Sequence, residues 1–312
     1  MTNHYFSKER RKIIKSGIGM MAAMATYPQL SMSQINNNPL IKKAIPSTGE
    51  SIPVIGLGTS RTFDAGEQAQ QIKLLPVLEA FFENGGSLVD SSPMYGAAQQ
   101  AVGRLLHKLD RPEALFSATK VWIEGKQAGI AQMQQAMDLW GIDSFDLMQI
   151  HNLKDWQIHL ETLKEWKSQG KIRYIGITTS HNRFHEELAD ILNRESLDFV
   201  QFTYNIDNRT SEKSLLPIAF DKGVAVLVNR PFQRGDLFRR IKDKELPAWA
   251  AEIGIKSWGQ YFLKFAVSHP AVTCAIPATS KVKHMVDNMQ AGYGDLPDLA
   301  TRQKMVKYLQ TI

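Results

Sequence analysis

The chain has 312 residues, of which 43% are hydrophobic and 22% are charged. These values are typical of a globular protein, and they exclude a disordered tail, a fibrous repeat and a multi-span membrane protein. The only cysteine, Cys274, excludes an internal disulfide framework and a multi-thiolate metal site, and the formal net charge is +6.

The first 25 residues have the pattern of an export signal. They carry five basic residues and one acidic residue, Glu9, and so account for four of the six net positive charges. The rest of the chain carries only about +2, which is too little to predict a nucleic-acid-binding surface. Arg10-Arg11 precedes a short apolar run that ends in small residues, as signal peptides do. The run is shorter than the roughly 20 residues that cross a bilayer, so no stable membrane span is predicted.

This leader resembles a bacterial twin-arginine signal, which implies the twin-arginine export machinery as a partner and a periplasmic location. If the leader is not functional, the protein is expected to be cytoplasmic. The alternative for residues 1–25 is a basic amphipathic helix that caps the domain. Residues 26–42 are predicted to be a linker, and residues 43–312 the folded domain.

The folded domain alternates strands and helices. A β-hairpin over 44–58 is followed by a regular series of elements. These are helix 68–84, strand 87–90, helix 97–108, strand 114–120, helix 128–140, strand 145–151, helix 156–168, strand 172–177, helix 182–192, strand 199–202, helix 212–221, strand 224–228, helix 258–268, strand 271–276 and helix 282–291. Eight short apolar strands, each followed by a helix or a long loop, predict an α/β protein with a (β/α)8 TIM barrel and an N-terminal β-hairpin.

Polar residues cluster where the predicted strands end. Asp90, Lys120 and His151 end three successive strands, and Tyr95 lies five residues after Asp90. Each residue alone has an ordinary structural interpretation, as a helix cap, a solvated charge or a hydrogen-bonding side chain. Because the carboxyl ends of barrel strands meet at one mouth, the four together predict a catalytic site.

These residues, in this order, resemble the Asp, Tyr, Lys and His tetrad of the aldo-keto reductases. The resemblance extends from about residue 44 to residue 291 and includes segments 52–59, 170–176 and 276–281. It implies a barrel enzyme that uses a nicotinamide cofactor to reduce an aldehyde or ketone to an alcohol, or catalyses the reverse reaction. A small carbonyl or alcohol compound is the implied substrate.

The chemistry of the tetrad agrees with that activity. Hydride addition to a carbonyl leaves an alkoxide, which needs a general acid within hydrogen-bond distance. Tyr95 is predicted to be this acid, and the base in the reverse direction. The Lys120 ammonium, held by Asp90, is expected to lower the pKa of Tyr95, and His151 is expected to orient the substrate oxygen.

The resemblance implies NADPH as the cofactor, with NADH as the alternative, lying extended across the barrel mouth. Three positions differ from the family pattern: Thr178-Thr179 replaces the usual Ser-Asn, and Asn229 replaces a tyrosine that stacks on the nicotinamide. The residues assigned to the cofactor are Gly58, Thr59, Thr178, Thr179, Gln201, Arg230, Pro231, Phe232, Thr279, Ser280, Lys281, His284 and Asn288. Within this set, the segment 279–284 is assigned to the 2′-phosphate and Asn288 to the adenine. Trp122 is assigned to the substrate pocket, and the loops after strands one, four and seven and the C-terminal segment are expected to select the substrate.

The sequence leaves alternatives for Lys120, for the barrel as a whole and for two histidines. Lys120 could be a Schiff-base nucleophile, as in aldolases, but that role needs a neutral amine and an adjacent aspartate would keep the charge. The barrel could be a weakly catalytic or non-catalytic nucleotide-binding module that serves a partner. His181 and His185 have the i, i+4 spacing of metal ligands, but without a third ligand nearby no metal site is predicted.

Overall fold

The computed structural model describes residues 38–312. The predicted signal peptide and most of the predicted linker lie outside the described residues. Within residues 38–312, no helix combines the length and the apolar character that a bilayer crossing requires.

A short antiparallel hairpin opens the described chain. Strand β1 (Lys42–Ala44) pairs with β2 (Ser51–Pro53), so that Lys43 lies opposite Ile52. Ile45 and Ile52 are buried against residues at the amino ends of the barrel strands. The hairpin was predicted from the sequence, and it closes the end of the barrel opposite the polar residues.

Eight parallel strands follow in a sheet whose spatial order is the order of the chain. They are β3 (Leu57–Gly58), β4 (Leu88–Asp90), β5 (Phe116–Val121), β6 (Phe145–His151), β7 (Ile172–Thr178), β8 (Phe199–Thr203), β9 (Ala225–Asn229) and β10 (Val272–Ala275). The first and last strands meet through Gly56 N–H to Ala275 O (2.8 Å) and Ala275 N–H to Val54 O (2.9 Å). These bonds close the sheet, and the predicted (β/α)8 barrel is confirmed.

Helices connect the strands on the outside of the barrel. They are α1 (Gln68–Ile72), α2 (Leu75–Glu83), α3 (Ala98–Lys108), α4 (Lys126–Trp140), α5 (Trp156–Ser168), α6 (His185–Arg194), α7 (Leu215–Lys222), α8 (Asp236–Arg240), α9 (Trp258–Val267), α10 (Val282–Gln290) and α11 (Leu299–Thr311). Short 3₁₀ helices span Asn182–Phe184, Thr210–Lys213, Gln233–Gly235 and Ala248–Ile253.

Three predicted helices differ from the structure. The single helix predicted over 68–84 is interrupted between α1 and α2, because Pro76 in the first turn of α2 has no N–H and its ring excludes the preceding helical turn. The helices predicted from 182 and 212 begin as 3₁₀ turns. In addition, α8 and α11 were not predicted.

The barrel interior changes from apolar to polar along most of the strands. Alternate residues of a strand share one face, so Phe116 and Ala118 of β5 point the same way as Lys120. Phe116 and Ala118, which lie nearer the amino end of the strand, form one buried apolar cluster with Leu147, Phe199 and Leu227. Two residues further along β4, β5, β6, β8 and β9, the same face carries a polar residue, and these residues form the floor of the mouth: Asp90, Lys120, Gln149, Gln201 and Asn229.

Candidate active site

The Lys120 ammonium is buried beneath the mouth of the barrel. Its Nζ donates to Asp90 Oδ1 at 2.5 Å and to Ser91 O at 2.8 Å, and both charged side chains are buried. Nζ also lies 5.1 Å from the centroid of the Tyr95 ring. Because the adjacent carboxylate favours the charged amine, this geometry suits an electrostatic role for Lys120 and disfavours a Schiff-base nucleophile.

His151 is held beside Tyr95. Its Nδ1 is 2.7 Å from Ser92 Oγ, which also accepts from Met94 N–H at 3.1 Å, and its ring meets the Tyr95 ring edge-to-face at 5.6 Å. Burial, and then the Lys120 charge, hold the pKa of His151 well below 6.5. The imidazole is therefore neutral near pH 7, and when the Ser92 hydroxyl donates to Nδ1, Nε2–H remains a donor.

The pKa of Tyr95 departs from the prediction. Burial raises it above 10, and the opposing effect of the Lys120 ammonium is smaller. The expectation of a lowered pKa was therefore wrong for the free protein, because the phenolate loses more hydration than the single ammonium, itself paired with Asp90, can replace. A protonated phenol near neutral pH is the form that a general acid requires.

A buried chain of amides supports Asp90 from its other side. Gln149 Nε2 and Gln201 Nε2 donate to Asp90 Oδ2 at 2.8 and 3.1 Å, and Gln201 Nε2 also contacts Gln149 Oε1 at 3.0 Å. Thr178 and Asn229 donate to Gln201 Oε1 at 3.3 and 3.4 Å. Both oxygens of the carboxylate therefore have partners, as a buried charge requires.

Gln149, Ser92 and Asn229 were missed as site residues. Gln149 precedes His151 by two positions on the same strand, so strand periodicity was the signal that could have found it. Asn229 was noted only as an altered family position. Its Oδ1 accepts from Thr203 Oγ1 at 2.7 Å, and its amide belongs to the buried chain, so it is a hydrogen-bonding part of the floor.

A cavity of about 680 Å³ opens above these side chains. Of the residues assigned from the sequence, it is lined by Asp90, Tyr95, His151, Gly58, Thr59, Thr178, Gln201, Arg230, Pro231 and Phe232. Lys120 lies directly beneath, bonded to Asp90. The loops after β3 and β6 contribute further residues, among them Arg61 and Asn152, and the segment after β9 contributes Phe238 of α8. The C-terminal helix α11, which was expected to help select the substrate, contributes none.

Several residues that the sequence assigned to the cofactor or the substrate lie outside the cavity wall. Thr179 is buried behind the floor, where its carbonyl accepts from Asn229. Trp122 is 36% exposed, with its ring centroid 6.4 Å from that of His151, and it is not part of the cavity wall. His181 lines the cavity, whereas His185 is buried against Phe202, so these two histidines share no metal site.

The residues assigned to the 2′-phosphate lie where α10 begins, outside the cavity wall, which reaches Ala278. Ser280, Lys281 and His284 are exposed. Burial and the nearby lysines lower the pKa of His284, so this side chain carries little charge near pH 7. Thr279 is buried and accepts from Lys281 N–H at 3.1 Å, and Asn288 is buried on α10.

Residues 54–301 match the model of the aldo/keto reductase family. This match covers most of the chain. The chain belongs to the aldo/keto reductase family. The resemblance inferred from the tetrad is thereby confirmed at the level of the family.

The individual relatives have low sequence identity to this chain. The NADH-specific methylglyoxal reductase of Escherichia coli is 28% identical over 67% of this chain and 73% of its own length. The L-galactose dehydrogenase of Arabidopsis thaliana is 24% identical over 86% of this chain and 93% of its own. Among solved structures, an aldo-keto reductase from Klebsiella pneumoniae in complex with NADPH has a TM-score of 0.72 at 23% identity, covering 86% of this chain and 96% of that one.

Proposed function

We propose that this protein is an NAD(P)H-dependent oxidoreductase that reduces an aldehyde or ketone to an alcohol, or catalyses the reverse reaction. One observation carries the proposal: the phenol of Tyr95, the neutral imidazole of His151 and the carboxylate of Asp90 line a single cavity, and the Lys120 ammonium lies directly beneath them, paired with Asp90. Membership of the aldo/keto reductase family supports it.

Each residue has a defined task in this proposal. A bound nicotinamide dinucleotide supplies the hydride. Tyr95 donates its proton to the carbonyl oxygen as negative charge develops there, and the Lys120 ammonium stabilises the phenolate that remains. His151 donates from Nε2 to the same oxygen and fixes its position. Asp90, held by Gln149 and Gln201, keeps the ammonium charged and in place.

The cavity suits a dinucleotide. The exposed side chains of Arg61 and Arg234 line it, and among residues 38–312 neither has a carboxylate ion-pair partner; guanidinium groups match phosphate oxygens well. Thr178 and Gln201 would lie at the nicotinamide end, and Ser280 and Lys281 would hold a 2′-phosphate. We propose NADPH as the preferred cofactor with NADH possible, since the Klebsiella structure contains NADPH and the E. coli relative is named NADH-specific.

We also propose that residues 1–25 direct export to the periplasm by the twin-arginine route. The support is the arginine pair at positions 10 and 11 and the short apolar run that follows. Replacing both arginines with lysine should leave the mature domain intact and retain the protein in the cytoplasm. Unchanged export of that variant would refute this proposal.

The proposed activity is tested with purified protein, NADPH and a panel of small aldehydes and ketones, followed by nicotinamide absorbance. The wild type should turn over, and Tyr95→Phe should lose at least about a hundredfold in kcat, because the general acid is removed. The Kd for NADPH, measured by fluorescence titration, should remain near the wild-type value. Cofactor binding without turnover of any carbonyl would instead favour a nucleotide-binding module.

A further inference from the structure

A fully buried serine contacts His151 from behind the cavity wall. Ser92 lies in the turn between β4 and Tyr95, and its Oγ is 2.7 Å from His151 Nδ1. His151 lines the cavity, whereas Ser92 does not. Among residues 38–312, the second ring nitrogen of His151, Nε2, has no hydrogen-bond partner. Nε2 is therefore the nitrogen that remains for a bound substrate.

The contacts of Ser92 fix the direction in which its hydroxyl donates. Met94 N–H donates to Oγ at 3.1 Å, which closes a tight turn and uses one lone pair of the oxygen. Within the described part of the chain, His151 Nδ1 is the only acceptor that the hydroxyl proton can reach. Because a buried hydroxyl proton without an acceptor is unfavourable, the Ser92 O–H donates to Nδ1.

This hydrogen bond determines which ring nitrogen of His151 carries the proton. A neutral imidazole has one N–H, and a hydroxyl that donates to Nδ1 leaves that N–H at Nε2. A substrate carbonyl oxygen is a hydrogen-bond acceptor, so it is attracted by Nε2–H and repelled by an Nε2 lone pair. Only one of the two neutral tautomers of His151 can therefore assist the reduction.

We infer that Ser92 is a positioning residue whose hydroxyl holds His151 in the Nε2–H tautomer and so lets it orient the carbonyl substrate. The inference deepens the proposed function and rests on it. Hydride from the reduced cofactor adds to the carbonyl carbon, and Tyr95 gives its proton to the oxygen. The Nε2–H of His151 and the O–H of Ser92 keep their protons throughout.

The tautomer can be measured by NMR of the protein labelled with ¹⁵N-histidine, since protonated and unprotonated ring nitrogens differ in chemical shift. The His151 signals are those that disappear in His151→Gln. At pH 9 the wild type should show a protonated Nε2 and an unprotonated Nδ1. Ser92→Asp should reverse this pattern, because aspartate can keep the turn to Met94 N–H while its other oxygen accepts from Nδ1–H. In Ser92→Ala the Nδ1 shift should change, because its hydrogen-bond donor is lost.

The rate of carbonyl reduction should follow the tautomer. Ser92→Ala should lower kcat/KM by about tenfold, the scale of one buried hydrogen bond, and Ser92→Cys should lose less because a thiol is a weaker donor of similar shape. Ser92→Asp should be slow at alkaline pH and faster as the pH falls, since the paired imidazole then takes a second proton and Nε2 donates again. The wild type should show no such rise, although the same titratable neighbours surround His151 in both proteins, namely Lys120, Tyr95 and His181.

A second buried serine provides the matched control. Ser117 on β5 donates from Oγ to Asp146 Oδ2 at 2.9 Å and does not line the cavity, so Ser117→Ala should leave the His151 tautomer and kcat/KM unchanged.

Three results would overturn the inference. They are a wild-type His151 protonated at Nδ1, wild-type kcat/KM in Ser92→Ala, and a folded Ser92→Asp whose loss of activity is the same at every pH. If the tautomer reverses as expected but the wild type reduces no carbonyl compound, the control of the tautomer by Ser92 stands and the proposed function fails.

Discussion

Single residues determine the pH range in which the proposed reduction can proceed. The pKa of Tyr95 is raised above 10, so the phenol keeps its proton through neutral pH, and His151 has a pKa well below 6.5, so its imidazole stays neutral. We predict that kcat/KM for carbonyl reduction is constant from pH 6 to pH 8 and falls only when alkaline pH removes the Tyr95 proton. Alcohol oxidation needs the phenolate, so its rate should rise with pH. Steady-state rates in both directions, at saturating cofactor, measure this.

The other histidine of the cavity provides the control for that profile. His181 lines the wall, and its lowered pKa results from burial and from Arg230, Arg183 and Arg234. His181→Gln should leave the profile unchanged. An inflection of kcat/KM between pH 6 and pH 7 that survives in His181→Gln would contradict the neutral state assigned to His151.

The sequence identified the four central side chains but not their protonation states. The residue types and spacing of a family pattern are visible in the sequence, and they identify Asp90, Tyr95, Lys120 and His151. The rise in the pKa of Tyr95 depends on how much water burial removes, and no spacing in the chain measures that. Gln149 looked like an ordinary strand residue, because its role arises only from the contact with Asp90 across two strands.

At the scale of elements, the turn that presents Tyr95 depends on a glycine. Gly96 has a φ of +58°, and a Cβ placed there would lie 2.2 Å from Asp64 Oδ1. That same oxygen accepts from Ala97 N–H at 2.9 Å and so ties the turn to the loop after β3. The turn therefore disfavours a side chain by its backbone conformation, and a Cβ would also displace the Asp64 carboxylate that holds the turn.

We predict that Gly96→Ala lowers kcat/KM by about a hundredfold, because the methyl group displaces Asp64 and moves the adjacent phenol out of position. The loss of stability should be smaller, about 1–2 kcal/mol for the unfavourable φ. Carbonyl reduction and thermal unfolding measure the two effects.

Two glycines serve as controls for that variant. Gly66 lies in the same loop as Asp64 with open space around it, and Gly170 has a φ of +73° with no atom near a Cβ. Gly66→Ala should change neither property, and Gly170→Ala should reduce stability alone. Equal activity losses in Gly96→Ala and Gly170→Ala would show that the contact with Asp64 does not matter.

Elements differ in how well the sequence predicts them. Strand β6 and helix α5 have the predicted bounds, since their apolar residues recur at the periods of a strand and a helix. The single helix predicted over 68–84 is divided into α1 and α2, because apolar spacing continues through Pro76, whereas a helix cannot. Helix α11 was missed, although Asp298 provides an N-cap by accepting from Thr301 N–H at 2.8 Å.

At the scale of the whole molecule, the barrel explains why residues far apart in the chain share one site. Once eight βα units are recognised, the carboxyl ends of the strands must face one mouth, and the alternation of side chains selects which residues point inward. Strand alternation therefore predicts the residues at the floor of the cavity, which lie on strands, but not the residues of its wall, which lie on the connecting segments. The wall depends on loops such as residues 230–238, whose conformations are set by tertiary contacts rather than by a repeating pattern.

The C-terminal helix α11 stabilises the barrel and contributes no residue to the cavity wall. Arg302 is 7% exposed and donates to Phe265 O and to Ser268 Oγ (2.7 Å) at the end of α9. It also donates to Tyr204 OH at 2.5 Å, just after β8, and lies over the Phe265 ring. One side chain thus joins three elements that are far apart in the chain.

We predict that Arg302→Met lowers the free energy of unfolding by about 2–4 kcal/mol, because it removes charge-assisted hydrogen bonds to Phe265 O, Ser268 Oγ and Tyr204 OH and the cation that faces Glu212. Since α11 contributes no residue to the cavity wall, kcat/KM for carbonyl reduction should remain within about twofold of the wild type at temperatures where the variant is folded. Lys307→Met, which removes an exposed cation from the same helix, should leave both quantities unchanged. Urea unfolding followed by tryptophan fluorescence gives the first quantity and steady-state rates give the second. Lost activity in a fully folded Arg302→Met would show instead that α11 influences the active site through the strand end that Tyr204 extends.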